Sequence, residues 1–325
     1  MLTQEHQNIF FHKKSSVWSE KHIYCSDVTG NVCDEKVSAE MIKFFDDLYE
    51  ESRTFWNLQI DCEFKSYEDF IHCRLEEFIK NDSEELKKVK RAILRQQSKI
   101  LCIEIGCARL NESSVKEYGS YVRFDDVNIE FPGGYSTLVD FLASKIPASL
   151  IKLNQPVESV KIEENAELSV VCQNGETYKA DHVLVTSSLN YLKKNYEKFL
   201  PKELLTDKKI TALNNLKMGY VNKFILIYDD MSFYPQNKDS VHVLFPDNDY
   251  DSKDYDMRTE WYKKIPKFDK FYDNILRALI TGEEAFHVES LSENEISIVL
   301  TRLLRNIFKN DSIPLPNRVI RLEVS

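Results

Sequence analysis

Two charged residues set among apolar neighbours have the types and spacing that could do chemistry. Lys223 sits in VNKFILIY, where strand alternation puts Val221, Lys223, Ile225 and Ile227 on one face. An ammonium on a buried, β-branched face is costly unless a cavity or a polar partner meets it. Spacing alone favours the plainer reading, an edge strand whose lysine reaches water along its stem. Glu104 lies between Ile103 and Ile105, late in a segment that passes from charged (EELKKVKR) to apolar (ILCIEIGCA). That change predicts a helix exposed at its start and buried at its end. A carboxylate in such an end could pair with a substrate ammonium. A glutamate on the solvent face of a helix is the commoner arrangement.

Other chemistries find less support. The histidines are dispersed, with no Ser-His-Asp order and no close pair, so structural roles are the default. His22, Cys25 and Cys33 could be ligands of a metal, but no second closely spaced pair completes a site. Gly133-Gly134 lies outside any strand–GxGxxG–helix context, and the eight glycines are few for a chain with tight phosphate turns. Seven cysteines at irregular spacing fit reduced thiols. The net charge of -10 disfavours a nucleic-acid partner and would attract a polycation, although charge of this size also serves solubility. No apolar run approaches membrane-spanning length. MLTQEHQNIFFHKK carries no apolar signal segment and RLEVS is not a peroxisomal address. With the thiols, this predicts the cytoplasm or nucleus.

The elements that must position these residues follow from periodicity. At 325 residues, 42% hydrophobic and 30% charged, the chain is long enough for one large or two ordinary globular domains. Two short strands are expected around Thr29-Gly30. Met41, Ile42, Phe45, Leu48 and Tyr49 mark one helix, Ser66 with Asp69 starts a second through Lys80, and Ser83 opens the long third. After the Pro132-Gly133-Gly134 turn comes a helix that stops before Pro147. SLIKL, VESVKI, LSVVCQ and ETYKA read as strands, with Asn174-Gly175 turning a hairpin. HVLVT (182–186) reads as a strand buried on both faces of a parallel sheet. Helices are expected at 189–197 and 201–215, and strands at 222–228, 241–245 and 275–281. Residues 248–256 form an acidic loop. Ser292 with Glu295 caps a last amphipathic helix.

FPGGYSTLVDFLASKIP from Phe131, IKLNQPVESVKI, NGETYKADHVLVTSSLNYLKKN and MGYVNKFILIYDD, in this order, resemble the FAD-dependent amine oxidases, nearest their spermine and polyamine oxidases. WYKKIPKFD and ITGEEAFHVESLSENEISIVLTRLLRNIF followed by IPLPNRVIR extend the resemblance to about Arg321. It implies that Lys223 faces the flavin and holds a water near its N5 atom. It implies that Glu104 binds substrate, on a loosely similar local sequence. It also implies that the backbone at Val157 contacts the adenine end of FAD, and that Thr186 and Ser187 approach FAD at the end of a strand. The Thr-Ser-Ser-Leu here departs from the proline many relatives carry in its third position.

The fold expected from the resemblance is α/β, in two interleaved parts. Residues 128–215 are expected to be a remnant of the FAD domain with unpaired sheet edges. Residues 1–127 and 216–325 are expected to form a substrate domain with a mixed sheet covered by helices. The family's opening GxGxxG unit and closing flavin-contacting segment are not found, so both ends read as cut and FAD binding is expected to be weak or lost. The implied reaction is oxidation of a polyamine secondary amine by FAD and oxygen, giving an aldehyde, a shorter amine and hydrogen peroxide. Alternatives are a histone-lysine demethylase of the same superfamily and a non-catalytic polyamine- or partner-binding fragment. Oligomeric state is not legible.

Overall fold

A computed structural model describes residues 12–13, 23–122, 129–130, 133–164, 166–247 and 249–322. In chain order the elements are β1 (His12–Lys13), β2 (Ile23–Asp27), α1 (Glu35–Asn57), α2 (Tyr67–Phe78), α3 (Glu84–Ile105), α4 (Val115–Tyr118), β3 (Ile129–Glu130), α5 (Tyr135–Ala143), β4 (Val157–Ile162), β5 (Leu168–Cys172), β6 (Thr177–Ala180), α6 (Leu189–Phe199), α7 (Asp207–Asn215), β7 (Val221–Ile227), β8 (Ser240–Leu244), α8 (Met257–Glu260), β9 (Lys267–Tyr272), β10 (Ile275–Thr281), α9 (Glu283–Val288), α10 (Glu293–Phe308) and β11 (Arg318–Leu322). The chain divides into two units, residues 1–17 with 127–218 and residues 18–126 with 219–325.

Short polar side chains start the helices of the larger unit where the sequence places them. Asp34, Ser66 and Ser83 each accept from a backbone N–H in the first turn of α1, α2 and α3, and Ser292 with Glu295 forms a full capping box on α10. The described strands form a mixed six-stranded sheet in the order β11-β7-β10-β9-β8-β2. Its one parallel pair is β2 with β8, which registers Cys25 opposite His242. Ile296, Leu300, Leu303, Leu304 and Ile307 of α10 join Phe224, Leu226, Leu276, Ala278 and Ile280 of the sheet in one core. A second core gathers Met41, Phe70, Ile71, Leu75, Ala92 and Ile93 between α1, α2 and α3.

In the smaller unit, β4, β5 and β6 form an antiparallel sheet. The Asn174-Gly175 turn closes the second hairpin, with Gly175 at φ +87° and the Asn174 side chain accepting from the Glu176 N–H at 3.0 Å. Thr206 caps α7, so residues 201–215 are a short 3-10 turn and then a helix rather than one continuous helix.

Of the two strands expected around Thr29-Gly30, the second is reduced to a single bridge of Val32 to Ser26. Two further expected strands are not formed. SLIKL holds a 3-10 turn at Ala148–Leu150, with Leu150 and Leu153 exposed. HVLVT carries no ladder, and Leu184 is 88% exposed. An apolar run becomes a strand only when a neighbour satisfies its N–H and C=O groups, and among the described residues none pairs with 182–186.

Candidate functional site

β7 carries two different faces. Asn222, Phe224 and Leu226 are buried against the α10 core, while Val221, Ile225 and Ile227 are half-buried and Lys223 is exposed. The expected alternation is present, but β7 is not an edge strand. It lies between β10 and β11, with Leu279 and Leu322 directly opposite Lys223. Opposed residues share a face, so Lys223 stands among Val221, Ile225, Leu279, Ile320 and Leu322, with Arg277, paired to Asp269 at 3.0 Å, opposite Ile225 on the same face. A single ammonium on such a surface can hold a water or orient a small polar group against an apolar platform.

The end of α3 approaches the start of this strand. A Cβ on Gly219 would lie 1.3 Å from the Gly106 carbonyl oxygen, so the two backbones meet where no side chain fits. Gly106 caps α3 in the left-handed region at φ +76°. Thr281, at the end of β10, donates to the Cys107 carbonyl at 3.0 Å and the Tyr220 carbonyl at 2.8 Å, tying both segments together. Lys223 lies four positions after Gly219, an extended rise of roughly 13 Å. Glu104, two residues before the cap, therefore belongs to the same part of the unit as Lys223. It is exposed, not buried as its apolar flanks suggested. The last buried residue of α3 is Cys102, so packing ends a turn before the helix does.

Buried charges that the sequence did not single out hold α3 in place. Lys99, fully buried, pairs with Asp249 at 2.7 Å and lies 4.6 Å from the Phe245 ring centroid. Burial pushes Lys99 down to about 8, against the attraction of Asp249. Lys264 donates to the Ala108 carbonyl at 2.8 Å and sits 4.1 Å from the Tyr250 centroid, and burial lowers it too. The acidic loop is thus partly an internal counter-charge. The available signal was Lys99 itself, a cation inside the apolar half of a helix, which requires a partner.

The smaller unit brings Val157, Thr186 and Ser187 to one groove of about 520 Å³, lined also by Val160, Val170 and Tyr191. The loss of the HVLVT strand moves none of these residues out of the groove. Its apolar walls and free backbone suit a flat heterocycle such as adenine. Among the described residues lining it none is Lys or Arg, so it offers no cation to a pyrophosphate. His22, one of the three residues weighed as metal ligands, lies outside the described residues. No described helix is long and apolar enough to cross a membrane.

The sequence profile of flavin containing amine oxidoreductases matches residues 35–323. A bovine protein named peroxisomal N(1)-acetyl-spermine/spermidine oxidase is 25% identical over 257 residues, covering 74% of this chain and 49% of that protein. A mouse protein named lysine-specific histone demethylase 1B is 27% identical over 197 residues, covering 57% of this chain and 21% of that protein. A solved putrescine oxidase shares the fold with a TM-score of 0.64 at 13% identity, over 96% of this chain and 67% of that one. The chain spans about half the length of the first of these relatives. The profile match over most of the sequence leads to one assignment: the chain belongs to the family of flavin containing amine oxidoreductases.

Proposed function

We propose that this chain serves the oxidation of a polyamine, with the larger unit binding the amine and the smaller unit contributing to the flavin site. One observation carries the reading: Lys223 is exposed on a sheet face that it shares with Val221, Ile225, Leu279 and Leu322, and the resemblance makes it the flavin-facing lysine. FAD, when bound, would accept hydride from the carbon beside the amine nitrogen. Val157, Thr186 and Ser187 would hold its adenine end in the apolar groove. Lys223 would hold a water by its ammonium, and Val221, Ile225 and Leu279 would exclude others from the methylene chain. Glu104 would accept hydrogen bonds from a distal substrate ammonium. Oxygen is the second substrate and hydrogen peroxide the second product.

An amine panel tests this in a fusion of the chain with the flavin-binding segments of a relative. Peroxide release is measured with spermine, N-acetylspermine, putrescine and a methylated histone-tail peptide. Turnover of the polyamines above the peptide supports the reading. Turnover of the peptide alone would make the chain demethylase-like, and retention of flavin with no turnover of any amine would make it a binding module. The seven free thiols are the ground for placing the chain in the cytoplasm or nucleus, and organelle fractionation that finds it elsewhere would reject this.

A further inference from the structure

A hairpin between β2 and α1 sets two thiols opposite each other. Asp27 holds the turn: its carboxylate accepts from the Thr29 N–H at 2.8 Å and the Asn31 N–H at 2.9 Å, while Gly30 takes φ +77°. The Asp27 N–H donates to the Asn31 carbonyl at 3.0 Å and the Cys33 N–H to the Cys25 carbonyl at 2.8 Å, with Ser26 bridging Val32 antiparallel. Cys25 and Cys33 are therefore a directly opposed pair. Such pairs have Cα atoms about 5.5 Å apart, within the span a disulfide closes.

Both thiols line one cavity of about 290 Å³, with Ser38, Ile93, Gln97 and His242. Cys25 is buried and Cys33 half-buried. The Cys25 thiol hydrogen-bonds Cys33, and the Ser38 hydroxyl donates to the same sulfur at 3.5 Å. The hydrogen bond from Cys25 first, against burial and with help from Ser38, lowers Cys33 to about 7. The same bond and burial push Cys25 well up. Among the surrounding charges, Asp27 raises Cys25 and Asp34 raises Cys33, while Glu35 and Lys238 pair with each other at 3.6 Å. His242 is neutral near pH 7, because burial pushes it down to about 3.

We propose that Cys33 and Cys25 form a peroxide-reactive dithiol, with Cys33 the attacking sulfur and Cys25 the resolving one. The Cys33 thiolate attacks one oxygen of hydrogen peroxide, an S–O bond forms and the O–O bond breaks. The departing hydroxide takes a proton and leaves as water. Cys25 then attacks the sulfenic sulfur, the S–S bond forms and the S–O bond breaks. The Cys25 proton goes to the leaving hydroxide, giving a second water. Two thiols lose two electrons and one peroxide becomes two waters. This site is independent of the amine chemistry, since the oxidant can be supplied directly.

The chain contains its own controls. Cys73 is exposed but lies outside this cavity, and Cys102 with Cys107 is a second thiol pair, hydrogen-bonded to each other and both buried. The full chain is treated with one equivalent of hydrogen peroxide at pH 7, quenched with iodoacetamide and read by peptide mass spectrometry. The expected result is a Cys25–Cys33 link, two hydrogens lighter, formed several-fold faster than oxidation at Cys73 or a Cys102–Cys107 link. In Cys25→Ser, dimedone should trap a sulfenic acid on Cys33. Alkylation of Cys33 in the unaltered chain should rise with pH about a midpoint near 7, below the ordinary thiol range. Oxidation at Cys73 as fast as at Cys33, or a first link that omits Cys25 or Cys33, would overturn the proposal without any variant.

Discussion

Lys223 and Glu104 are both accessible side chains, so their worth must show in substrate behaviour and not in folding. In a fusion with flavin-binding segments, Glu104→Gln keeps the size and removes the charge. Apparent spermine binding should weaken by about 1.5–3 kcal/mol, the range for a hydrogen bond to a charged group. N-acetylspermine, with one cation fewer, should lose less. Equal and negligible changes for the two amines would leave Glu104 as a surface charge. Lys99 makes the opposite kind of prediction, one about stability. Its folded pKa is depressed to about 8, so below that pH the full cost of burying the cation is present. Between about 8 and the unfolded value of 10.5 the unfolded chain binds the extra proton, and stability due to Lys99 rises with pH. Above pH 10 the buried Tyr228, Tyr234 and Tyr250 and the half-buried Tyr255, all pushed up chiefly by desolvation, oppose it. Urea unfolding at pH 8 to 10 should show stability rising relative to Lys99→Met by on the order of 1 kcal/mol per unit. A pH-independent difference would contradict the assignment. Asp249→Ala, which strands Lys99, should cost about 3–5 kcal/mol at pH 7.

At the scale of elements, the approach of α3 to β7 fixes where Glu104 stands relative to Lys223. Two glycine substitutions separate close approach from backbone freedom. Gly219→Ala drives a methyl into the Gly106 carbonyl and should cost about 3 kcal/mol, the upper range for overpacking. Gly106→Ala meets no atom within 4 Å and should cost only the left-handed penalty of about 1–2 kcal/mol. Thermal unfolding of both variants checks the order, and a larger loss for Gly106→Ala would show that the contact is not rigid. Much of this layer was legible. The caps at Ser66, Ser83 and Ser292, the Asn174-Gly175 turn and the alternation of VNKFILIY all act locally, and each appears where the sequence puts it. The failures have a common cause. HVLVT and SLIKL are apolar enough for strands, but pairing is a property of two segments and a run shows only one. β9 was missed because KFDKFY puts charge at Asp269, where burial opposes the carboxylate while Lys267 and Arg277 lower its pKa. β11, short and bounded by Pro316, gives little periodic signal. Glu104 was misjudged because composition reveals that a helix end is apolar but not whether a neighbour reaches it.

At the scale of the whole molecule, the family and its α/β fold were readable from ordered blocks of sequence. The docking of loop 249–256 onto Lys99 and the thiol pair were not, since each joins residues whose partnership only the fold creates. We propose that this chain binds FAD weakly, since among the described residues lining the groove at Val157, Thr186 and Ser187 there is no Lys or Arg to meet a phosphate. Equilibrium dialysis checks this, and stoichiometric retention of FAD through gel filtration would contradict it. The central claim is that the open face of β7 presents Lys223 to a flavin and an amine. Its most direct test is anaerobic stopped-flow mixing of spermine with the FAD-loaded fusion, compared with Lys223→Met, followed by mixing with oxygen. The account predicts bleaching of the flavin by spermine, slower reduction or slower reoxidation in Lys223→Met, and melting temperatures that agree closely. Identical traces in both half-reactions, with flavin bound to each protein, would contradict it.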